Sequence, residues 1–357
     1  MKNASNFVMA GGGTGGHVIP ALAVAGELRS RGHSVRFIGT RRGIEAKLVP
    51  AAGFPIDWIE IGGLNRVGLR QTITSLAELP WSVFAAARAL ERARPVTAVF
   101  STGGYVAGPV LIAALWKRLP VVVMEPNAIP GFTHRRLAGF ISKALVSFEE
   151  TLRYFPKDRA EVTGRPVAAE FFAIAPKPRT DVLTVLITGG SQGSRTLNRA
   201  VAESWPLWKR DSVRLIHQTG ERAFPDLAPK FQASGIPGEI SAFLENMPQG
   251  FAEADVIVSR SGGTVSEIAA AGKPSILVPL PTAADQHQLR NAQAFEKAGA
   301  ARLVPDAEMT GARLVEEVTR LASEPGALEK MGEEARALAR PGAAERAADV
   351  LEGYISG

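Results

Sequence analysis

The chain is predicted to fold as two α/β domains in tandem, each a parallel sheet wound on both faces by helices. Three observations predict it. Short apolar, β-rich runs alternate with longer helical patterns along the whole length. The alternation restarts after a Pro/Lys/Arg-rich segment, Ala175-Pro176-Lys177-Pro178-Arg179. Both halves open on the same device, a strand that runs into a glycine turn and then a helix, and 357 residues suit two ordinary cores rather than one.

In the first half the expected strands are Phe7 to Ala10, Val35 to Ile38, Ala98 to Phe100, Val121 to Met124 and Leu145 to Ser147. In the second they are Leu183 to Ile187, Val213 to His217, Val256 to Ser259, Ile276 to Val278 and Arg302 to Val304. The first helix is expected from near Pro20, and the helix after the second glycine turn from about Leu197. The last helical stretch, Ala335 to Tyr354, has no strand after it and is free to cap either domain. The expected domains are 1–164 and 165–340, with 341–357 a C-terminal helix packing back on the first.

Composition removes several chemistries. There is no cysteine, which excludes disulfides, thiolate metal sites and a cysteine nucleophile, and the five histidines lack metal-ligand spacing. No metal or other cofactor is expected. No apolar core follows a basic start, and the uncharged run Tyr105 to Trp116 is too short to span a bilayer, so a soluble, unexported chain is expected. Charge is uneven: residues 1 to 165 hold 21 Lys+Arg against 11 Asp+Glu, a net of +10, whereas the rest nets −4. A basic half suits an anionic substrate or an anionic membrane. The arginines are not interleaved with stacking aromatics and no nucleic-acid module is legible, so no nucleic acid is expected.

The stretch Gly11-Gly12-Gly13-Thr14-Gly15-Gly16-His17 lies between a strand and a helix. Such a loop can bring backbone amides and a helix N-terminus against a phosphate. Gly11, Gly13 and Gly16 also satisfy the dinucleotide fingerprint. The second strand, however, ends in Gly39-Thr40-Arg41-Arg42, without the acid that would hold a ribose. NAD is disfavoured, and NADP would need the arginines. A tight turn without ligand is the bland alternative. Similar turns recur at Ser101-Thr102-Gly103-Gly104-Tyr105 and at Thr188-Gly189-Gly190-Ser191-Gln192-Gly193. Ligands of open α/β sheets bind beyond the carboxyl ends of the strands, so all three turns are expected to line one cleft.

In the second half, Ser259-Arg260-Ser261-Gly262-Gly263-Thr264-Val265-Ser266-Glu267 reads as strand end, glycine turn and helix start. Two readings are open. Thr264 and Glu267 can form a capping box, or the turn can meet a phosphate while Glu267 accepts both hydroxyls of a ribose. Gln288 and Asn291 lie one helical turn apart on one face, as suits the hydroxyls of a neutral sugar or merely a polar first turn.

Ile73, Leu76, Leu79, Trp81 and Phe84, flanked by Arg66, Arg70, Arg88 and Arg92, form an apolar stripe in a basic rim. Pro80 is expected to interrupt the helix that carries it. The stripe suits core packing or a headgroup interface, and Trp116-Lys117-Arg118 is a second candidate anchor.

At these residues the chain resembles the MurG family, the UDP-N-acetylglucosamine:lipid I transferases of peptidoglycan assembly. The resemblance runs the whole length. It rests on Gly12-Gly13-Thr14-Gly15-Gly16-His17, Thr102-Gly103-Gly104-Tyr105-Val106-Ala107-Gly108-Pro109, Glu125-Pro126-Asn127, Thr163-Gly164-Arg165-Pro166, Gly189-Gly190-Ser191-Gln192-Gly193, and Arg260-Ser261-Gly262 through Glu267. It implies the glycosyltransferase B fold, two Rossmann-like domains facing across a cleft. It also implies inverting transfer of GlcNAc from UDP-GlcNAc to the C4 hydroxyl of MurNAc in lipid I, in cell-wall synthesis at the cytoplasmic face of the inner membrane. Partners so implied are UDP-GlcNAc, lipid I, an anionic membrane surface and other cell-wall assembly proteins.

By the same resemblance uracil would lie near Leu244, ribose on Glu267, the diphosphate by Ser191, Gly263, Thr264 and Arg165, and the sugar on Gln288 and Asn291. Asn127 and Thr14, Gly15 and Gly16 would close on the donor from the first domain. The acceptor diphosphate would rest on Gly12, Gly13, Gly103, Gly104 and Tyr105. The chain departs from the family at Gly263, where members often carry one more, apolar residue; the backbone contacts of Gly262 to Thr264 stay open.

Transfer from a nucleotide diphosphate requires stabilising UDP and deprotonating a hydroxyl. The chain has no D-x-D motif, so fixed helix dipoles and a cation are expected to serve the diphosphate without metal. Two residues compete as base. His17 ends the first glycine loop and titrates near working pH; Glu125 ends a buried strand that could raise its pKa. Each has a plain alternative, His17 positioning phosphate and Glu125 holding a nearby amide. The competing functions are an NADP oxidoreductase, a UDP-sugar transferase to another membrane lipid, a 2-epimerase, and a silent UDP-sugar-binding regulator.

Overall fold

The first strand, β1 (Asn6–Gly11), carries an unbroken apolar run, Phe7 to Ala10, so both faces of its sheet need cover. The computed structural model describes residues 4–61, 68–127, 129–178, 180–283 and 286–355, with the side chains of 68–78 and of Arg210 outside that description. On one face Val8 and Ala10 join Ile38, Val99, Val121, Val123, Ala144 and Val146 under α3 (Gly68–Arg92) and α4 (Ala107–Trp116). On the other, Phe7 and Met9 join Phe37, Phe100, Val122, Met124 and Leu145 under α1 (Gly15–Ser30).

The first sheet contains β2 (Ser34–Gly39), β3 (Ile56–Trp58), β4 (Ala98–Gly103), β5 (Val121–Glu125), β6 (Lys143–Val146) and β7 (Ala160–Val162) besides β1. Its order is β3-β2-β1-β4-β5-β6-β7, all pairs parallel. Helices α2 (Glu45–Ala51) and α5 (Phe132–Leu137) fill two of the crossovers. The order reverses between β1 and β4, so the glycine turns after these two strands are neighbours.

The second sheet contains β8 (Leu183–Thr188), β9 (Val213–Gln218), β10 (Gly238–Ser241), β11 (Val256–Ser259), β12 (Ser275–Leu277) and β13 (Arg302–Leu303), in the parallel order β10-β9-β8-β11-β12-β13. Its helices are α6 (Ala169–Phe172), α7 (Arg195–Ser204), α8 (Phe224–Ser234), α9 (Met247–Glu253), α10 (Thr264–Ala271), α11 (His287–Lys297), α12 (Gly311–Ser323) and α13 (Ala327–Ala337). Here the order reverses between β8 and β11, again placing two glycine turns side by side.

Contacts divide the chain into two units, Met1–Val167 with Gly342–Gly357, and Ala168–Pro341. The expected final helix, Ala335 to Tyr354, is broken. Helix α13 ends before Pro341, Gly342 turns with φ +81°, and α14 (Ala343–Glu352) follows. Proline cannot extend a helix and glycine supplies the left-handed turn. Helix α14 buries Ala347, Ala348 and Leu351 in the cluster of Phe7, Met9 and Leu28. Arg31 reaches Asp349 at 2.6 Å and Arg346 reaches Glu161 at 2.6 and 3.0 Å.

Three strands escape the sequence reading: β3, β7 and β10. All are edge strands of three or four residues without a fully buried position. The first helix begins at Gly15, five residues before Pro20, and α3 continues through Pro80 rather than stopping there.

Candidate active site

In the first unit the turns after β1 and β4 interlock. Thr102 Oγ1 donates to the His17 carbonyl at 2.6 Å, and the His17 ring returns a bond from Nδ1 to the Thr102 carbonyl at 2.7 Å. A carbonyl only accepts, so Nδ1 carries the proton and Nε2 keeps its lone pair. Burial lowers the His17 pKa below 6.5. The Thr102 carbonyl and the Glu125 charge oppose that shift, while His134 and Arg165 reinforce it. A neutral imidazole of fixed tautomer results, as a general base requires.

Glu125 is different. Its Oε1 accepts from the Asn127 backbone at 3.0 Å and from Asn127 Nδ2 at 3.1 Å, and its Oε2 from Gly131 N–H at 3.0 Å and His134 Nδ1 at 2.9 Å. Burial alone would raise its pKa, but the His134 hydrogen bond and charge, with the two backbone N–H groups, hold it below the ordinary carboxylate value. The geometry therefore corrects the expectation of a raised pKa. Asn127, Gly131 and His134 between them supply four donors to the two oxygens of Glu125. Asn127, expected at the donor, has both its amides on that carboxylate.

The first glycine loop is shaped by protein, not by open space. A Cβ at Gly13 (φ +91°) would lie 2.5 Å from the Tyr105 ring, one at Gly104 2.2 Å from the Gly12 carbonyl oxygen, and one at Gly12 2.6 Å from Val106. Gly13 N–H is already donated to Glu45 Oε2 at 2.8 Å, and the Tyr105 hydroxyl lies 2.7 Å from Thr40 Oγ1. Glu45 and Thr40 thus hold two groups that were expected at the acceptor diphosphate. Gly103 (φ +95°) keeps its N–H on Ser101 Oγ and lies under the His17 ring, since a Cβ there would be 3.2 Å from His17 Nδ1. At the start of α1, Thr14 is exposed, and the first N–H groups of a helix lack intrahelical partners. Arg165, expected at the donor diphosphate, is buried in the first unit. It donates from Nη2 to the Gly16 carbonyl at 2.9 Å.

In the second unit Gln218 ties two expected donor elements together. It donates from Nε2 to the Gly190 carbonyl at 2.9 Å and accepts from Leu244 N–H at 3.1 Å. Gly190 (φ +80°) has nothing within 4 Å of a Cβ position, so this turn is open beside Ser191, and Ser194 caps α7 by accepting from Leu197 N–H.

Across the switch point, α10 begins at Thr264 with Gly263 at its cap position, so Thr264 is not the cap that a capping box needs. Glu267 is the acid of that first turn. Gln288 and Asn291 do share a face, but much of their capacity fixes the turn itself. Gln288 Oε1 accepts from Leu280 N–H at 2.9 Å, and Asn291 Nδ2 donates to the Ser261 carbonyl at 3.0 Å. Asn291 Oδ1 is buried with no partner, and Gln288 Nε2 points toward Gly262.

Of the apolar stripe, Trp81 is 76% and Phe84 52% exposed, Leu79 is half-buried, and the side chains of Ile73 and Leu76 lie outside the described residues, as do Arg66 and the side chain of Arg70. Trp116 is 70% exposed. The same unit exposes Phe132 and Phe140 beside Arg135 and Arg136, which the sequence reading did not single out. Among the described residues no helix is long and apolar enough to cross a membrane.

Comparison with known proteins agrees along the whole chain. The glycosyltransferase family 28 N-terminal domain matches residues 7–146 and the glycosyltransferase family 28 C-terminal domain residues 184–350. The UDP-N-acetylglucosamine–N-acetylmuramyl-(pentapeptide) pyrophosphoryl-undecaprenol N-acetylglucosamine transferase of Solibacter usitatus is 60% identical over 352 residues, 98% of this chain and 96% of its own. The enzyme of the same name from Halorhodospira halophila is 40% identical over 360 residues, 98% of each. Among solved structures, Acinetobacter baumannii MurG aligns with a TM-score of 0.73 at 30% identity, covering 98% of this chain and 99% of its own. UDP-GlcNAc 2-epimerase from Neisseria meningitidis aligns with a TM-score of 0.66 at 16% identity, covering 98% and 100%, and shares the fold. The chain belongs to glycosyltransferase family 28, and within it to the MurG family.

Proposed function

We propose that the chain is an inverting transferase that moves GlcNAc from UDP-GlcNAc to the C4 hydroxyl of MurNAc in lipid I, giving lipid II and UDP. The 60% identity to the Solibacter usitatus transferase over nearly the full length of both chains carries this reading. The His17 geometry supports it. In the reaction the C4 oxygen attacks the anomeric carbon from the face opposite UDP. The bond from that carbon to the β-phosphate oxygen breaks, its electron pair leaves with UDP, and the hydroxyl proton passes to His17 Nε2.

On the donor side, uracil lies by Leu244, ribose on Glu267, and the diphosphate over the turn at Ser191 that leads into α7 and the start of α10 at Gly263 and Thr264. Two helix N-termini offset the leaving charge with dipoles that need no reorganisation. Asn291 Oδ1, which lacks a protein donor, and Gln288 Nε2 take sugar hydroxyls. On the acceptor side the start of α1, Thr14 to Gly16, takes the lipid-linked diphosphate, with Arg165, which donates to the Gly16 carbonyl, as a cation beside it. The exposed aromatics Trp81, Phe84 and Trp116, near Arg88, Arg92 and Arg118, rest on an anionic membrane surface, the cytoplasmic face of the inner membrane, so that the enzyme is peripheral.

The test is a UDP-release assay on the full chain with UDP-GlcNAc and a lipid I analogue, repeated with a diacylglycerol acceptor and with EDTA. The reading expects release with the lipid I analogue alone, undiminished by EDTA. Release with diacylglycerol, or conversion of UDP-GlcNAc to its 2-epimer without acceptor, would overturn it.

A further inference from the structure

Glu45 opens α2, and the mechanism above makes no use of it. Its side chain is fully buried, and the hydrogen-bond partners of its carboxylate among the described residues are donors. Oε2 accepts from Gly13 N–H at 2.8 Å, and Oε1 accepts from Thr40 N–H at 3.1 Å and from Thr40 Oγ1 at 2.9 Å. The Tyr105 hydroxyl lies 2.7 Å from Thr40 Oγ1 and 3.2 Å from Oε1. The Thr40 and Tyr105 hydroxyls both reach Glu45 Oε1 and hydrogen-bond each other, which links Tyr105, Thr40 and Glu45 in one network.

The socket is carved for this carboxylate. A Cβ at Gly12 would lie 2.7 Å from Oε1, one at Gly39 2.9 Å from Cγ, and one at Gly43 1.9 Å from Oε2. A buried carboxylate is costly unless donors surround it, and here they come from the turns after β1, β2 and β4, three adjacent strands. One side chain thus ties the ends of the three strands that carry the acceptor half. The position that a phosphate would take on Gly13 N–H is already held by an anion.

We propose, building on the transferase reading, that Glu45 is the positioning residue of the acceptor half. It fixes Gly12 and Gly13 so that the following turn aims His17, and it holds the Tyr105 ring through Thr40. By taking the Gly13 amide it confines the acceptor's diphosphate to the start of α1. Glutamine has the same length but turns an NH2 donor onto other donors, so Glu45→Gln breaks the device with little change in volume.

The test compares wild type, Glu45→Gln and Tyr105→Phe by initial rates with a lipid I analogue and by calorimetric titration with UDP. For Glu45→Gln, kcat falls by about tenfold or more and the acceptor KM rises, while UDP affinity and the UDP-GlcNAc KM stay within about twofold. Tyr105→Phe, which keeps the ring, gives a smaller loss in the same direction. UDP stoichiometry reports the folded fraction, to which rates are normalised. A normalised kcat and acceptor KM equal to wild type in Glu45→Gln would overturn the proposal, as would an equal loss of UDP affinity. Failure of wild type itself to transfer to the lipid I analogue would instead refute the transferase reading, so the two failures are distinct.

Discussion

His17 and Thr102 clasp each other in both directions, ring to carbonyl at 2.7 Å and hydroxyl to carbonyl at 2.6 Å. The clasp locks the tautomer of the imidazole and ties it to the strand end beside it. Because burial lowers the His17 pKa below 6.5, the neutral form that accepts a proton dominates at neutral pH and is lost only on acidification. The kcat/KM profile with a lipid I analogue is therefore expected to be flat from pH 7 down past 6.5 and to fall only below it. His17→Ala is expected to lower kcat by about 100-fold and erase that acidic limb, with UDP affinity unchanged.

Glu125 separates the two candidate bases. Its carboxylate raises the His17 pKa, so Glu125→Gln should move the acidic limb to lower pH without abolishing it. The same change sets an amide among four donors, and urea unfolding should show a loss of about 1–3 kcal/mol. Persistence of the limb in His17→Ala and its disappearance in Glu125→Gln would make Glu125 the base.

A second histidine makes stability depend on pH. His217 is buried and donates from Nε2 to Asn198 Oδ1 at 3.0 Å, while its Nδ1 has no partner. Burial pushes its pKa down from 6.5 to about 3. The unfolded chain binds a proton below 6.5 that the folded chain refuses, so this group's contribution is full above 6.5 and is lost as pH falls toward about 3. The slope is at most about 1.4 kcal/mol per pH unit. Urea titrations from pH 7 to pH 4 should find that His217→Asn flattens this dependence.

For the membrane, Trp81→Ser combined with Trp116→Ser is expected to reduce cosedimentation with anionic vesicles by about tenfold or more, with transfer to a water-soluble acceptor retained. Phe132→Ser with Phe140→Ser extends the test to the second pair of exposed aromatics. Equal binding to neutral and anionic vesicles by wild type would remove the basic rim from the account.

The central strands were legible because each is a continuous apolar run buried on both sides, and the glycine turns because nothing else places glycines after such runs. Edge strands β3, β7 and β10 are too short and too exposed to leave a run. At the site, residue types were readable but partners were not. Glu125 and Asn127 bond each other two positions apart, and Gln288 and Asn291 bond the Leu280 amide and the Ser261 carbonyl, which no spacing rule distinguishes from a ligand contact. Glu45 left no signal at all. The groups it holds come from Gly13, Thr40 and Tyr105, far apart in sequence, and only the sheet order brings them together. His134, which donates to Glu125 from α5, lies only nine residues beyond it, but no spacing rule marks that pair.

The break at Pro341 and Gly342 fixes an order of assembly. Helix α14 follows the whole of the second unit in sequence, yet it covers Phe7, Met9 and Leu28, which precede that unit. The second unit, Ala168–Pro341, is continuous and has all its residues available earlier. Synthesis therefore supplies every residue of the second unit before α14, and until α14 emerges Phe7, Met9 and Leu28 lack its cover. A stop codon after Pro341 would make that lack permanent.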